Sequence, residues 1–324
     1  TTLYWLENAG EAIIRTTVGS SRLDTIAVAP LPGSSFRRFA DFYVDEEAET
    51  IYIGVPDGAI YKTDLDGNSP EQLVNISPLA GVLTIEKDIE NNLLFIGVGV
   101  GPETIITFDL QTKEIDRSTL GGIGFGALFI AIDSNAEAVY FTEEAGARVI
   151  RRTSYDGSEV EVFLMREDVV GCVSLDANEE DLYWSEGNHI YKSDLATRQV
   201  DIAIEGRDSP GCFAIDTNAR KVYWTGVDTI WQSDLDGSSR EVIVDGLSIP
   251  GRLKVPEVMT RLSKESSLNP SIFTLTSYPN PFSHNTTIRF SLEEPSRVSL
   301  NLFNALGQEM RVVVAEEVFL GHQN

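Results

Sequence analysis

Fifty acidic side chains dominate the chemistry open to this 324-residue chain, against 25 lysines and arginines and three histidines. Five aspartates recur at one phase: Asp45, Asp88, Asp133, Asp176 and Asp216 each stand seven residues before an aromatic. Carboxylates placed this way have two uses. Each can accept hydrogen bonds from the amides of the tight turn that follows it. Alternatively, the set can form a ring of oxygen ligands holding Ca2+ at a channel mouth. Turn capping is the expected use, so no cofactor is expected and Ca2+ is kept as the alternative.

Catalytic constellations are sparse. Fifty acids guarantee close carboxylate pairs in any fold, so proximity alone does not identify a glycosidase. A Ser-His-Asp triad would have to use His189, because His284 and His322 lie near the C-terminus, and no Gly-x-Ser-x-Gly elbow accompanies it. Gly97-Val98-Gly99-Val100-Gly101 lacks the strand–loop–helix setting of a phosphate cradle. Cys172 and Cys212 each follow a glycine and stand four residues before a repeated aspartate. They form no Cys-x-x-Cys metal pair. Equivalent points in neighbouring repeats are expected to lie beyond the roughly 7 Å Cα reach of a disulfide, which makes them free, buried thiols. No catalytic residue is assigned.

The elements that position these groups follow from the same repeat. The aromatics are Tyr4, Tyr52, Phe95, Tyr140, Tyr183 and Tyr223, at steps of 48, 43, 45, 43 and 40 residues. A period of 40–50 marks units that must stack on copies of themselves to bury an apolar face. Each copy reads as four short strands. In the last, residues 212–215 run apolar to Asp216, residues 222–225 follow a polar turn, residues 229–233 form the third strand, and Asp236-Gly237 turns into residues 241–244. No helical periodicity appears. Six four-stranded sheets around an axis make an all-β, six-bladed propeller. The chain starts on the second strand of its first copy, so residues 249–258 are expected to return and supply that blade's innermost strand.

Tyr183-Trp184-Ser185-Glu186, Tyr223-Trp224-Thr225-Gly226 and Tyr140-Phe141-Thr142-Glu143 resemble the YWTD repeats (class B repeats) of low-density-lipoprotein-receptor-type propellers. The resemblance covers about residues 1–255. In that family the motif aspartate ties blades together. Here its slot holds Glu7, Val55, Val98, Glu143, Glu186 and Gly226, so interblade bonding must be rearranged or replaced by packing.

A second resemblance begins at Tyr278-Pro279-Asn280-Pro281-Phe282 and continues through residues 287–292 and 298–308. This order is similar to the C-terminal sorting domain of the bacterial type IX secretion system. The resemblance implies a partial, immunoglobulin-like sandwich over 272–324, with the export machinery as its partner, and a product released or held on the outer surface of a bacterium. Alternating apolar residues at 288, 290 and 292, at 298, 300 and 302, and then at 310–314 read as three strands. Residues 1–258 are thus a ring, 259–271 a linker and 272–324 the sorting module.

Charge bounds the partners. Residues 256–324 hold seven Glu, no Asp and five Lys plus Arg, so −23 of the net −25 falls on the ring. That field opposes nucleic acid and anionic membranes, and its main expected use is solubility. No stretch of 18 apolar residues occurs, so no transmembrane segment is expected. The expected function is a monomeric, non-catalytic extracellular module that binds a protein, peptide or glycan. A secreted metal-dependent hydrolase or lyase is the alternative.

Overall fold

The computed structural model describes residues 1–34, 36–76, 81–99, 104–120, 126–143, 148–176, 180–206 and 212–256, together with the backbone of 273–278, 287–303 and 309–323. The chain divides into two units, Thr1–Met259 and Thr260–Asn324.

The first unit is a six-bladed β-propeller, each blade a four-stranded antiparallel sheet. Counting outward from the axis, blade 1 is Leu253–Lys254, Thr2–Glu7, Ala12–Thr17 and Asp24–Val28. Blades 2 to 6 begin with innermost strands Asp41–Asp45, Val82–Asp88, Ala127–Asp133, Val170–Asp176 and Phe213–Asp216, and each then runs outward in sequence order. Antiparallel strands alternate direction, so the disc has two unlike faces. One carries the turns between first and second and between third and fourth strands: the turn face. The other carries the loop between second and third strands and the link to the next blade: the connection face.

Among the described residues the apolar core is divided rather than single. Six apolar clusters fill the six gaps between neighbouring blades. The repeated aromatics Tyr4, Tyr52, Phe95, Tyr140, Tyr183 and Tyr223 are all buried in these wedges, as are Trp5, Trp184 and Trp224. Strand alternation explains why a Tyr-Trp pair serves two gaps at once, since successive side chains leave opposite faces of the sheet. Tyr183 accordingly packs towards blade 6 and Trp184 towards blade 4. Close packing also fixes a glycine. A Cβ on Gly97 would stand 2.4 Å from the Ala127 carbonyl oxygen, so this glycine serves the contact of blades 3 and 4; residues 100–101 of that run lie outside the described residues.

Blade 1 is completed from both chain ends. Leu253 and Lys254 pair with Trp5 and Tyr4. Backbone bonds from Leu6 N to Arg252 O (2.8 Å), Gly251 N to Leu6 O (2.8 Å) and Asn8 N to Ser248 O (2.7 Å) extend the contact.

The second unit is described by its backbone alone, a three-stranded antiparallel sheet of Phe273–Tyr278, Thr287–Phe303 and Glu309–Gln323. The two strands expected at 288–292 and 298–302 are one continuous strand. A register shift between Leu292 and Ser296 brackets Pro295, which has no amide to donate, so the ladder bends there without ending. The linker and Pro279–Phe282 lie outside the described residues.

Candidate functional site

The repeated aspartates sit where the innermost strands reach the turn face. Each of four caps its own turn through Oδ1: Asp45 accepts from Ala48 N (2.9 Å), Asp88 from Glu90 N (2.9 Å), Asp133 from Ala136 N (3.0 Å) and Asp216 from Ala219 N (2.7 Å). In three of these, Asp45, Asp88 and Asp216, the other carboxylate oxygen reaches the next blade. Asp45 Oδ2 is paired with Lys87 of blade 3. Asp88 Oδ2 accepts from the Tyr155 hydroxyl of blade 4 at 2.7 Å, and Asp216 Oδ2 from Thr1 Oγ1 of blade 1 at 2.6 Å. Asp176 Oδ2 lies 3.8 Å from Arg220 Nη1 of blade 6. The motif therefore ties blades as well as turns. Burial works against the charge of Asp88, but bonds from Asn91 and Tyr155 prevail and hold its carboxyl below the usual value.

Two of the residues in the motif-aspartate slot, Glu186 and Glu7, supply a second set of ties, on the connection face. Glu186 accepts from Trp184 Nε1 (3.0 Å) in its own strand, and from Arg166 Nε (2.7 Å) and Asp168 N (3.2 Å) in the link arriving from blade 4. Glu7 repeats the scheme with Trp5 Nε1 (2.7 Å) and Ser248 N in the link from blade 6. A glutamate thus performs the interblade bonding that its replacement of aspartate had put in question. In blade 6 the slot is Gly226, whose Cβ would stand 2.4 Å from Thr229 Oγ1. Trp224 Nε1 is accordingly buried without a hydrogen-bond partner among the described residues.

The axis is occupied by cations. Leu253 packs into the blade, so its neighbours Arg252 and Lys254 point inward by strand alternation. Arg252 Nη2 donates to Leu83 O of blade 3 and Leu128 O of blade 4, each at 2.9 Å, and the guanidinium lies 3.9 Å from the centroid of the Phe129 ring. Lys254 pairs with Glu86 of blade 3 and stands 3.7 Å from Asp41 of blade 2. Burial pulls Lys254 down, yet the two carboxylates hold it above its usual value, while burial lowers Arg252. Among the described residues no three His, Cys, Asp or Glu side chains group as a metal-ligand set. Nδ1 of His189 accepts from Gly206 N at 3.3 Å. His284 lies outside the described residues, and His322 is described by its backbone only.

The expectation of free thiols is overturned. Cys172 and Cys212 form a disulfide between blades 5 and 6, with Cα atoms 5.4 Å apart. The blades converge towards the axis, so equivalent points on adjacent innermost strands approach far more closely than they would farther out along the blades. Sequence reasoning placed both residues on those strands; the spacing there depends on the radius of the ring.

The two faces differ in what they expose. Of the large apolar side chains left exposed among the described residues, Val28, Phe36, Met165, Val169, Val227 and Ile249 lie on loops or strand ends of the connection face. Val227 is 71 % and Ile249 65 % exposed, and they are held near each other because Leu247 N donates to Asp228 O at 2.9 Å. Ile249 is also left-handed, at φ 50°. That conformation is costly for a β-branched residue. Three longer loop-like stretches, 29–41, 97–104 and 119–127, interrupt the repeat; 29–41 is described except for residue 35 and contributes Phe36, while residues 100–103 and 121–125 lie outside the described residues.

Comparison with known proteins supports the fold and stops there. A chain in the crystal structure of a nidogen/laminin complex superposes with TM-score 0.64 at 14 % identity, covering 80 % of this chain and all of that one. TolB from Acinetobacter baumannii superposes with TM-score 0.58 at 17 % identity, covering 77 % of this chain and 65 % of that one, so this chain spans just under two thirds of TolB. No protein-family model and no curated protein matches the sequence. The class of protein defined is a six-bladed β-propeller similar to these two.

Proposed function

We propose that this is an exported, non-catalytic propeller of YWTD type that binds an extracellular macromolecule, foremost a protein, through the connection face. The observation that carries the reading is the exposed apolar pair Val227 and Ile249, the latter in a conformation that stability does not favour. Strain retained on an exposed loop of a rigid scaffold is a functional signature. No internal task of either side chain accounts for its exposure. The nidogen/laminin neighbour comes from a protein–protein complex, which agrees with this use of the fold. The ring's charge of −23 favours a basic or polar partner and faster encounter at low salt.

Export rests on two supports. The motif Tyr278–Phe282 and the strands after it resemble the type IX sorting domain, a small immunoglobulin-like sandwich. The Cys172–Cys212 disulfide belongs to an oxidising compartment. Removing residues 272–324 is expected to leave the ring folded but trapped inside the cell, and efficient release of the shortened protein rejects the sorting role.

The binding reading is tested by placing a photo-crosslinking amino acid at Val227, Ile249 or, as a control on the turn face, Asp236, in the protein on its native cell surface. Adducts from the first two positions, lost on converting the other member of the pair to Asp, support it. Adducts only from Asp236 reject it.

A further inference from the structure

Two of the six blades place an arginine opposite the repeat tyrosine, Arg15 opposite Tyr4 and Arg152 opposite Tyr140, and the two differ in the turn of the next blade. Between blades 1 and 2 the turn face is closed. Arg15 lies opposite Tyr4 in the strand register and is bonded to its hydroxyl. It then donates across the gap to Leu65 O (2.9 Å) and Asp66 Oδ1 (3.0 Å) in the turn of blade 2. That turn approaches closely because its next residue is Gly67, where a Cβ would stand 1.7 Å from Ile26 O of blade 1.

Between blades 4 and 5 the corresponding residues are present up to the last step. Arg152 lies opposite Tyr140 and is bonded to its hydroxyl. The turn of blade 5, Asp194-Leu195-Ala196-Thr197, stands at the phase of Asp64-Leu65-Asp66-Gly67 in blade 2 and shares its first two residues; blade 3 likewise has Gln111 and Thr112 in the last two places. Ala196 stands at the sequence position of the Asp66 carboxylate, and the turn closes one residue later, with Arg198 N donating to Asp194 O where in blade 2 Gly67 N donates to Asp64 O. The result is a cavity of about 440 Å3 lined by Arg152, Tyr140, Phe163, Leu195 and Ala196, a volume within the range of small-molecule sites. The nearest acid to Arg152 is Glu159, 4.0 Å away on a side chain 77 % exposed. The other guanidinium at the site is already committed: Arg198 Nη2 holds both oxygens of Glu161 (2.8 and 2.9 Å), and its guanidinium carbon lies 4.9 Å from the centroid of the Phe163 ring. That pair lines one side of the space, with both side chains 42 % exposed. Asp133 and Glu180 also line the space, so the cavity presents, besides the Arg198–Glu161 pair, one cation whose acid contact is a long ion pair to an exposed side chain, and two acids.

We propose that this interblade cavity is a binding site for a small zwitterion of the amino-acid or dipeptide class. Its carboxylate takes the place on Arg152 that Asp66 takes on Arg15. Its ammonium group is drawn to Asp133 and Glu180, and its side chain lies against Phe163 and Leu195. The site is on the turn face, independent of the partner surface proposed above.

The test uses the whole chain. Calorimetric titration with free leucine, glutamate and the dipeptide Gly-Leu, with acetate as the anion-only probe, is compared across the parent, Arg152→Gln and Ala196→Asp. Ala196→Asp restores the carboxylate found in blade 2, so it fills the site from within; unchanged melting of both variants shows that they fold. The expected result is saturable binding of at least one zwitterion by the parent, about tenfold or more weaker in Arg152→Gln, as loss of a charged hydrogen bond predicts, and absent in Ala196→Asp. Three results overturn the proposal: no saturable binding by the parent, equal binding by the parent and both variants, or acetate binding as tightly as the zwitterions.

Discussion

The turn face and the connection face come from the same four strands, repeated six times, and they use their side chains in opposite ways. On the turn face the repeated carboxylates have internal work: one oxygen caps a turn and the other ties the next blade, as in Asp45, Asp88 and Asp216. On the connection face the ties are made by buried Glu186 and half-buried Glu7, while Val227, Met165 and Ile249 are left in solvent. An exposed acid on a chain of fifty acids is therefore weak evidence for a site. An exposed apolar residue in a left-handed backbone is stronger: ring closure uses the backbone of Ile249, through its carbonyl and Ala9 N, but not its side chain, which is 65 % exposed.

The comparison is broken or sharpened by substitutions on either side. The largest effect is expected from Asp45→Ala. It removes a turn cap and leaves Lys87, whose side chain is only 4 % exposed, without its carboxylate. Removing one partner of a buried ion pair costs about 3–5 kcal/mol. Urea unfolding measures this, and a loss below about 1 kcal/mol would show the aspartate to be spare and free for a ligand.

Opening the disulfide ranks next. Replacing Cys172 and Cys212 together by Ala frees a loop of sequence separation 40 and is expected to cost about 2–4 kcal/mol. Melts of the parent with and without reductant should reproduce the difference.

Acid titration separates the faces without mutation. Bonds from Lys221 hold Asp234 at about 2, and bonds from Ser154 and Ser158 hold Asp156 at about 2, against an ordinary 3.8. Both lie on turn-face turns. A carboxyl depressed in the folded state stabilises above its unfolded value, and this contribution is lost as the pH falls through the folded value. The urea midpoint should stay level from neutral pH to about 4 and then fall steeply towards about 2. Asp88→Asn should flatten that fall, because Asp88 is depressed as well. An equal slope in the variant would mean that the turn-face carboxylates are not what the acid limb reports.

The smallest effect on stability, and the sharpest contrast, is expected from Ile249→Gly. Glycine accepts φ 50° without strain, and the side chain lost is mostly in solvent, so the ring should be unchanged or stabilised by up to about 1 kcal/mol. Photo-crosslinking from Val227 should nonetheless weaken. A destabilised ring with intact crosslinking would place Ile249 in the fold rather than in the partner surface.

Much of this protein is legible in its sequence, because a repeat reports its own geometry. The spacing of Tyr4, Tyr52, Phe95, Tyr140, Tyr183 and Tyr223 fixes six blades, since each copy can bury its apolar faces only against the next. The apolar run after Pro250-Gly251 reads as an innermost strand, and Leu253–Lys254 takes that place beside Tyr4 and Trp5. The repeated aspartates announce turn capping by local chemistry alone. What the sequence could not supply is anything set by distance across the ring. Cys172 and Cys212 meet because blades converge on the axis. Arg252 and Lys254 look like surface cations until strand alternation turns them inward against residues more than 120 positions away in the chain. The cavity between blades 4 and 5 is likewise absent from the sequence, because Arg152 and Ala196 come to line one space only when their blades stack. Periodicity fixes which residues are equivalent; only the closed ring decides which of them touch.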